Sequence, residues 1–368
     1  MKKMRVLSTI LSITLLTIII LPACQLFLGP DPDDSPRGIF DTIWNDFDKT
    51  YALFEHKNID WKGVYNEFSP HVTPNMTQAE LYSLCIAMLS RLMDDHVWVW
   101  GPNMDYKEDP RWPETKYHFS DEFNTEVFRR GTYVNFPGEY DIYENMSYGR
   151  FTSNPEIGYI RISTFTETTG IFMETGDWAK EIDNVLQALS DTKGLVLDIR
   201  QNNGGFPANH EYIANRFAAK EANYMSVSTK NGPGRNDFST PLYRTIKPEG
   251  TRYTKPVVML TNNTTISCAE MFALALLTQD HVTHVGSNTQ GALCVRIVRP
   301  LINGWEYTVS IQRALDMNGK SLERKSLTEA GITPEYLIPA EIIIDWEAQT
   351  FIDEQLEGAF DILITKIP

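Results

Sequence analysis

A serine lies where a buried strand is followed by an apolar helix. The apolar residues 256–260 predict the strand, a polar turn follows, and Ser267 precedes a helix predicted at residues 269–277. A hydroxyl in this position lies beside free main-chain N–H groups and the positive end of the helix dipole, as a nucleophile or an oxyanion site requires. Serine is also among the best helix caps, so the position taken alone is more simply interpreted as an N-cap.

A second turn follows another buried strand. The strand is predicted at residues 194–199, and the turn after it contains Gly204 and Gly205. Because glycine has no Cβ and adopts positive φ readily, the main-chain N–H groups of such a turn approach a ligand closely. The simpler interpretation is an ordinary tight turn in which Asp198 and Arg200 are paired.

Four segments together resemble the S41 family of serine peptidases, which includes the C-terminal processing proteases and the tricorn core protease. They occur in the family order, at residues 158–165, 198–205, 267–270 and 331–335. The resemblance covers roughly residues 39–338. It implies a ClpP/crotonase-like α/β core preceded by a helical subdomain. It also implies a serine peptidase that needs no cofactor and takes a peptide or protein substrate.

The resemblance assigns roles to individual residues. Ser267 corresponds to the nucleophile, and the N–H of Cys268 with an N–H of Gly204 or Gly205 corresponds to the oxyanion hole. The processing proteases carry a Lys base in a Gly-Lys-Gly segment. The matching residues 289–293 here read Thr-Gln-Gly-Ala-Leu, and no Lys occurs between Gln279 and Asn318. A Lys base at that position is therefore excluded.

The tricorn-like branch of the family has a His base at the end of its helical subdomain, and the matching residue here is His96. A lone His after a helix is otherwise more simply a C-terminal cap. The same branch places a Glu shortly before a Gly-Ile/Val-x-Pro segment, to orient the His. Glu329 is the preferred match, Glu323 is the alternative, and Asp95 is a third candidate.

The first residues predict a lipoprotein signal peptide. Residues 1–23 have a positive start and an apolar run, and they end in Leu-Pro-Ala before Cys24, which resembles the lipobox of bacterial lipoproteins. Cleavage before Cys24 and its acylation would anchor the mature chain to a membrane of the bacterial cell envelope without spanning it. A plain secretory signal and a retained anchor are the alternatives.

The rest of the chain divides by composition and periodicity. We predict a tether at 24–37, a helical subdomain at 38–97, a connecting region at 98–157 and the catalytic core at 158–368. Helices are predicted at 40–53, 61–68 and 77–92, the last beginning with a Thr77–Glu80 capping box. The connecting region has no clear periodicity and is too short for a PDZ domain. Strands that alternate with helices follow, at 158–165, 194–199, 256–260, 282–286, 294–298 and 307–313.

Composition excludes several classes of partner and site. The chain has 33 basic and 48 acidic residues, a net charge of −15, and no Lys/Arg-rich run, which argues against nucleic acid. If Cys24 is acylated, an odd number of scattered thiols remains (Cys85, Cys268 and Cys294), which does not predict a disulfide framework. The histidines and cysteines lack metal-ligand spacing, so no metal site is predicted.

Two other functions stay open on the sequence. A surface lipoprotein could bind glycans through aromatic rings such as Trp98, Trp100 and Trp112. It could also be a catalytically inactive protein that binds peptides and has kept the fold. Intact Ser267, His96 and a Glu favour the enzyme.

Overall fold

The structure is a computed structural model of the 368-residue chain. It describes residues 33–102, 133–136, 145–169, 174–326, 329, 331–339, 342–345 and 350–367. The predicted signal peptide, Cys24 and Trp112 lie outside the described residues. Among the residues that are described, none of the helices is both long and apolar enough to cross a membrane.

Helices form the first described part of the chain. They are α1 (Pro36–Thr50), α2 (Phe54–Lys57), α3 (Trp61–Phe68) and α4 (Gln78–Ser90), followed by the short strand β1 (Val99–Trp100). Helix α1 begins earlier than predicted because Ser35 accepts a hydrogen bond from the Gly38 N–H and Pro36 suits a first helical turn. Trp44 and Trp61 join α1 to α3, since each indole N–H donates to the main-chain carbonyl of the other residue at 3.1 Å.

A seven-stranded sheet follows in the order β13-β9-β8-β5-β4-β3-β2. Its strands are β2 (Val134–Asn135), β3 (Met146–Phe151), β4 (Ile157–Ile162), β5 (Gly194–Asp198), β8 (Val257–Thr261), β9 (Val282–Gly286) and β13 (Tyr336–Leu337). From β4 to β13 neighbouring strands are parallel, and β3 and β2 are antiparallel. Strands β5 and β8 are buried at every residue, as parallel strands covered on both faces are. Their carboxyl ends therefore lie side by side.

The remaining strands form smaller antiparallel sheets. Strands β6 (Ala222–Thr229), β7 (Leu242–Ile246) and β12 (Gln312–Asp316) form one, and β10 (Arg296–Pro300) and β11 (Glu306–Ser310) form another with β1. Strand β14 (Ile342–Asp345) pairs with β15 (Thr350–Asp353). Because Val99 of β1 pairs with Tyr307 of β11, the end of the helical part is fixed to the later part of the chain.

Helices pack among these strands. They are α5 (Asp177–Lys180), α6 (Ile182–Ala188), α7 (Pro207–Asn215), α8 (Cys268–Leu276) and α9 (Glu354–Lys366). Helix α8 follows β8, and α9 contacts β5, β8 and β9. Of the nine residues of α8, eight are buried, so its sequence lacks the polar face of a surface helix.

The predicted α/β architecture with helices at the N-terminal end is confirmed, but some elements were missed. Strand β3 falls in the connecting region that had no clear periodicity, and β6 and β7 were not predicted. The single strand predicted at 307–313 is wrong: the chain forms β11 and β12, which separate at Ile311. Strand β12 pairs with β6, which lies far earlier in the chain, so this pairing leaves little local pattern.

Candidate active site

Ser267 occupies a strained position at the start of α8. Its φ is 62° and its ψ is −125°. A conformation of this kind costs a non-glycine residue about 1–3 kcal/mol and persists only where the surrounding structure enforces it. The turn is held from two sides: the Ile266 N–H donates to the Asn202 carbonyl at 3.0 Å, and the Ser267 N–H donates to Glu270 Oε2 at 3.0 Å.

The glycine turn after β5 approaches this serine directly. Gly204 has a φ of 80°, and a Cβ placed on it would lie 2.8 Å from the Ser267 Cβ and 3.0 Å from the Cys268 nitrogen. No real side chain tolerates such contacts, so only glycine lets the two turns come this close. The resemblance to S41 peptidases implied this juxtaposition, and the structure brings the two turns together.

The two glycines differ as candidate oxyanion donors. The Gly204 N–H donates to Asn202 Oδ1 at 2.9 Å and is therefore already used. Among the described residues, neither the Gly205 N–H nor the Cys268 N–H donates a hydrogen bond. The Cys268 thiol donates to the Gly205 carbonyl at 3.1 Å, which ties the two peptide groups together. Of the alternatives on the sequence, Gly205 with Cys268 is the pair left available.

A buried ion network supports the base of the glycine turn. Arg200 lies between Asp198, at 2.7 Å, and Asp353, at 2.8 Å, and all three side chains are almost fully buried. The Tyr159 hydroxyl also donates to Asp198, and Asp353 caps α9 by accepting the Leu356 N–H. The predicted pairing of Asp198 with Arg200 is confirmed, and it fixes the end of β5 from which the turn emerges.

His96 is buried shortly before β1, with 5% of its surface exposed. Its main-chain N–H donates to Asp94 Oδ1 at 2.8 Å, and its main-chain carbonyl accepts a hydrogen bond from the Thr308 hydroxyl at 2.6 Å. The ring faces the carbonyl of Cys294. The ring Nδ1 has no hydrogen-bond partner among the described residues. A neutral ring that donates through one nitrogen keeps its basic lone pair on the other.

Burial keeps the His96 ring neutral. Burial lowers the pKa of His96 to about 4, against the opposing effect of Asp94, and the Arg296 cation lowers it further. Burial alone would raise the pKa of Asp94, but the charge of Lys57 and hydrogen bonds from the His96 main-chain N–H and the Tyr51 hydroxyl hold it below its usual value. At neutral pH a neutral imidazole therefore lies near an ionised Asp94.

The segment 289–294 connects the surroundings of Ser267 with those of His96. The Gly291 and Ala292 N–H groups donate to the carboxylate of Glu270, at 2.7 and 2.9 Å. The Leu293 and Cys294 N–H groups donate to Glu323 Oε1, at 2.8 and 2.7 Å. No hydrogen bond joins Ser267 to His96 in the structure. Such bonds tighten in substrate complexes, so their absence does not exclude a catalytic pair.

The structure does not bring the preferred acid, Glu329, to His96. The Lys325 N–H donates to the Glu329 carbonyl at 2.8 Å, which closes a turn at the surface and leaves the Glu329 side chain exposed. Glu329 lines an open cavity of about 410 Å³ with His56.

The other acids are buried near the base. Glu323 is 3% exposed, and burial and the neighbouring Asp94 raise its pKa to about 8. Asp95 accepts a hydrogen bond from the Gln290 side chain. Asp94 was not a candidate on the sequence, although it lies two residues before His96. The repeated Asp in Asp94-Asp95-His96 was the available signal, and only its second member was considered.

The structure also bears on the predicted thiols and aromatic residues. Cys85, Cys268 and Cys294 are buried and form no disulfide. In the described ranges no group of His, Cys, Asp and Glu is arranged to hold a metal ion. The Arg296 guanidinium lies 3.8 Å from the centre of the Trp98 ring and covers one face of it, so that face is not available to a sugar.

Comparison with known proteins gives two family matches. Residues 156–338 match the model of peptidase family S41, and residues 32–90 match that of the tricorn protease C1 domain. The carboxy-terminal processing proteases CtpB and CtpA of Bacillus subtilis (strain 168) are 29% and 31% identical to the chain, over 182 and 173 residues. The matches cover 49% and 46% of this chain and 35% and 34% of those proteins. The chain thus matches about a third of the length of these curated relatives.

Solved structures agree with these matches. A crystal structure of a protein from Parabacteroides merdae ATCC 43184 has a TM-score of 0.71 and 26% identity, and the alignment covers 90% of this chain and 98% of that one. The tricorn protease has a TM-score of 0.52 at 16% identity, over 90% of this chain and 37% of its own, which indicates a shared fold. With both family matches in chain order and no match to a PDZ domain, the chain belongs to peptidase family S41.

Proposed function

We propose that this protein is a serine endopeptidase or carboxyl-terminal processing peptidase that cleaves peptide bonds through an acyl-enzyme at Ser267. One observation carries the proposal. Ser267 is held at a φ of 62° at the start of α8, and Gly204 approaches it so closely that no side chain would fit between them. A helix cap needs neither the strained φ nor the close approach of Gly204. A nucleophile beside an oxyanion hole needs its hydroxyl exposed and main-chain donors close to it.

The chemistry follows the order of a serine peptidase. His96 accepts the Ser267 proton as the serine oxygen attacks the scissile carbonyl carbon. The negative oxygen that forms accepts hydrogen bonds from the Gly205 and Cys268 N–H groups. His96 then gives its proton to the leaving amine, which leaves an ester on Ser267. Water, deprotonated by His96, attacks that ester and releases the new carboxyl end.

Asp94 and Glu323 have different parts in this proposal. When His96 takes the proton, the ionised Asp94 stabilises the imidazolium. Because Asp94 and Glu323 are buried together, the proton of the pair stays on Glu323 at neutral pH and the negative charge stays on Asp94. Glu323 then acts through Cys294, whose N–H it binds and whose carbonyl faces His96. Glu329 has no part.

Peptide hydrolysis tests the proposal. We expect the purified mature chain to cleave members of a peptide library, and Ser267→Ala and His96→Ala to reduce the rate by about 10³-fold or more. His71→Ala is the matched control, because His71 is exposed and lies in the same helical part of the chain. A folded wild-type chain that binds peptides without cleaving them would instead support the inactive peptide-binding protein.

The lipid anchor and the location are a separate part of the proposal. We propose that Cys24 is acylated and holds the protein at a membrane of the bacterial cell envelope. The support is the positive, apolar and lipobox-like pattern of residues 1–24. Expression in a bacterial host is expected to give a membrane-associated chain with an acyl mass increment, and Cys24→Ser is expected to lack both. A wild-type chain without acyl mass would contradict the anchor.

A further inference from the structure

Glu270 is a buried acid that the proposed mechanism does not use. It lies three residues after Ser267, in the first turn of α8, and its side chain is fully buried. Burial of a carboxylate is costly unless hydrogen bonds compensate it. Its surroundings therefore need explanation.

Four donors surround the Glu270 carboxylate. Oε2 accepts the Ser267 N–H at 3.0 Å and the Ala292 N–H at 2.9 Å. Oε1 accepts the Thr289 hydroxyl at 2.6 Å and the Gly291 N–H at 2.7 Å. Oε2 thus accepts hydrogen bonds both from the main chain of the nucleophile, Ser267, and from segment 289–294.

The donors suit the ionised form of Glu270 better than the protonated form. The three main-chain N–H groups cannot accept a hydrogen bond. The Thr289 oxygen accepts the Ile332 N–H at 2.7 Å and donates its own proton to Glu270. A protonated carboxyl would point its O–H at one of these donors and break a hydrogen bond.

The same contacts fix the geometry between nucleophile and base. Glu270 binds the 289–292 part of the connecting segment, and Glu323 binds the main chain at Leu293 and Cys294. The Cys294 carbonyl faces the His96 ring. The Gln290 side chain of the same segment also donates to Asp95, the residue before His96, so the segment contacts both the nucleophile's helix and the surroundings of the base.

We propose that ionised Glu270 is a positioning residue that holds Ser267 in its strained conformation and fixes segment 289–294, and thereby His96, relative to it. The inference rests on the proposed peptidase function. Glu270 does not touch the substrate. Its loss would misplace the nucleophile by a fraction of an ångström to an ångström, which typically costs about 10²-fold in rate.

The inference predicts a dependence on pH. Burial raises the pKa of Glu270 to about 7, against the lowering effect of its hydrogen bonds. Residues 289–293, which face Glu270, carry no charged side chain. Farther along the chain, the charge of Glu323 interacts with that of Glu270. His96 is already neutral well below pH 7. As pH falls through about 7, Glu270 takes up a proton, a hydrogen bond is lost, and activity is expected to fall.

The experiment compares Glu270→Gln with Glu80→Gln. Glu80 also accepts the N–H of the residue before its helix, at 2.8 Å from Thr77, but it is exposed and distant in sequence from the site. We expect the wild-type rate of labelling by a fluorophosphonate to rise through about pH 7. Glu270→Gln is expected to be slower by about 10²-fold and to lose this rise, while Glu80→Gln matches wild type.

Two further variants separate the groups involved. Thr289→Val removes one hydrogen bond to the ionised Glu270, so the rise is expected to move to higher pH. Glu323→Gln is expected to lower the rate but to keep the rise. A folded Glu270→Gln protein with the wild-type rate and rise would overturn the inference. If that variant does not fold, a wild-type profile that is flat from pH 5 to 8 overturns it.

Failure of the inference and failure of the proposed function give different results. If folded wild-type protein reacts with neither the fluorophosphonate nor peptides, the peptidase proposal fails. If wild-type protein reacts and Glu270→Gln reacts equally at every pH, only the role of Glu270 fails.

Discussion

Two helices of this chain begin with the same local sequence pattern, but only one of the two starts belongs to the candidate active site. Helix α4 is preceded by Thr77 and has Glu80 at its third position; α8 is preceded by Ser267 and has Glu270 at its third position. In both, the glutamate accepts the N–H of the residue before the helix, at 2.8 and 3.0 Å. By local sequence the two starts are equivalent capping boxes.

The difference lies in the backbone and in burial. Thr77 has the extended φ of −68° that a cap normally has, whereas Ser267 has a φ of 62°. Hydrogen bonds lower the pKa of the exposed Glu80, whereas burial raises that of Glu270 to about 7. Within the described residues Glu80 binds only its own helix start, whereas Glu270 also binds segment 289–292. The comparison teaches that tertiary partners convert a capping sequence into a strained site.

The largest effect is expected from the approach of Gly204 to Ser267. Gly204→Ala places a Cβ 2.8 Å from the Ser267 Cβ, so we expect the rate of peptide hydrolysis to fall by about 10²-fold or more. Gly319→Ala is the matched control, because Gly319 has nearly the same φ, 78° against 80°, and no atom within 4 Å of a new Cβ. It carries the backbone strain without the clash. Equal rates for the two variants would contradict the account.

The next largest losses of rate are expected from variants of the acids near His96. Asp94→Asn removes the charge that stabilises the imidazolium, so we expect a loss of about 10-fold to 10²-fold in peptide hydrolysis. Glu323→Gln keeps one acceptor for the Cys294 N–H and is expected to lose less. Glu329→Gln is expected to have no effect, because that side chain is exposed at a surface turn. A loss confined to Glu329→Gln would restore the preference drawn from the sequence.

The smallest effect is on the ordinary cap. Thr77→Ala removes the hydroxyl that accepts the Glu80 N–H, at 3.3 Å, and is expected to lower the free energy of unfolding by about 1 kcal/mol. Denaturant unfolding measures this loss. The rate of peptide hydrolysis should not change below the unfolding transition. A large loss of rate in this folded variant would mean that the two helix starts do not differ as described.

Much of the site could be predicted because its residues follow recognisable elements. Ser267 and the glycine turn come after buried strands, which parallel pairing brings to one edge of the sheet. His96 needed the family resemblance, because a histidine after a helix has no local signal of its own. The choice between Gly204 and Gly205 could not be made, since it depends on the Asn202 side chain.

Other features of the site depend on tertiary structure. Glu329 was the preferred match to the family Glu, and in the structure it lies exposed in a surface turn. Glu270 was not a candidate on the sequence, because its second set of partners lies about twenty residues farther along the chain, at Thr289, Gly291 and Ala292. Neither fact has a local signature in the sequence.

The most direct test of the central claim is to treat the folded protein with a fluorophosphonate and locate the adduct by mass spectrometry of its peptides. The account predicts one adduct, on Ser267, that is lost in Ser267→Ala and strongly reduced in His96→Ala. It predicts no adduct on Thr77. A folded wild-type protein without an adduct at Ser267, or with the adduct on another residue, would contradict the claim that this helix start is a catalytic site.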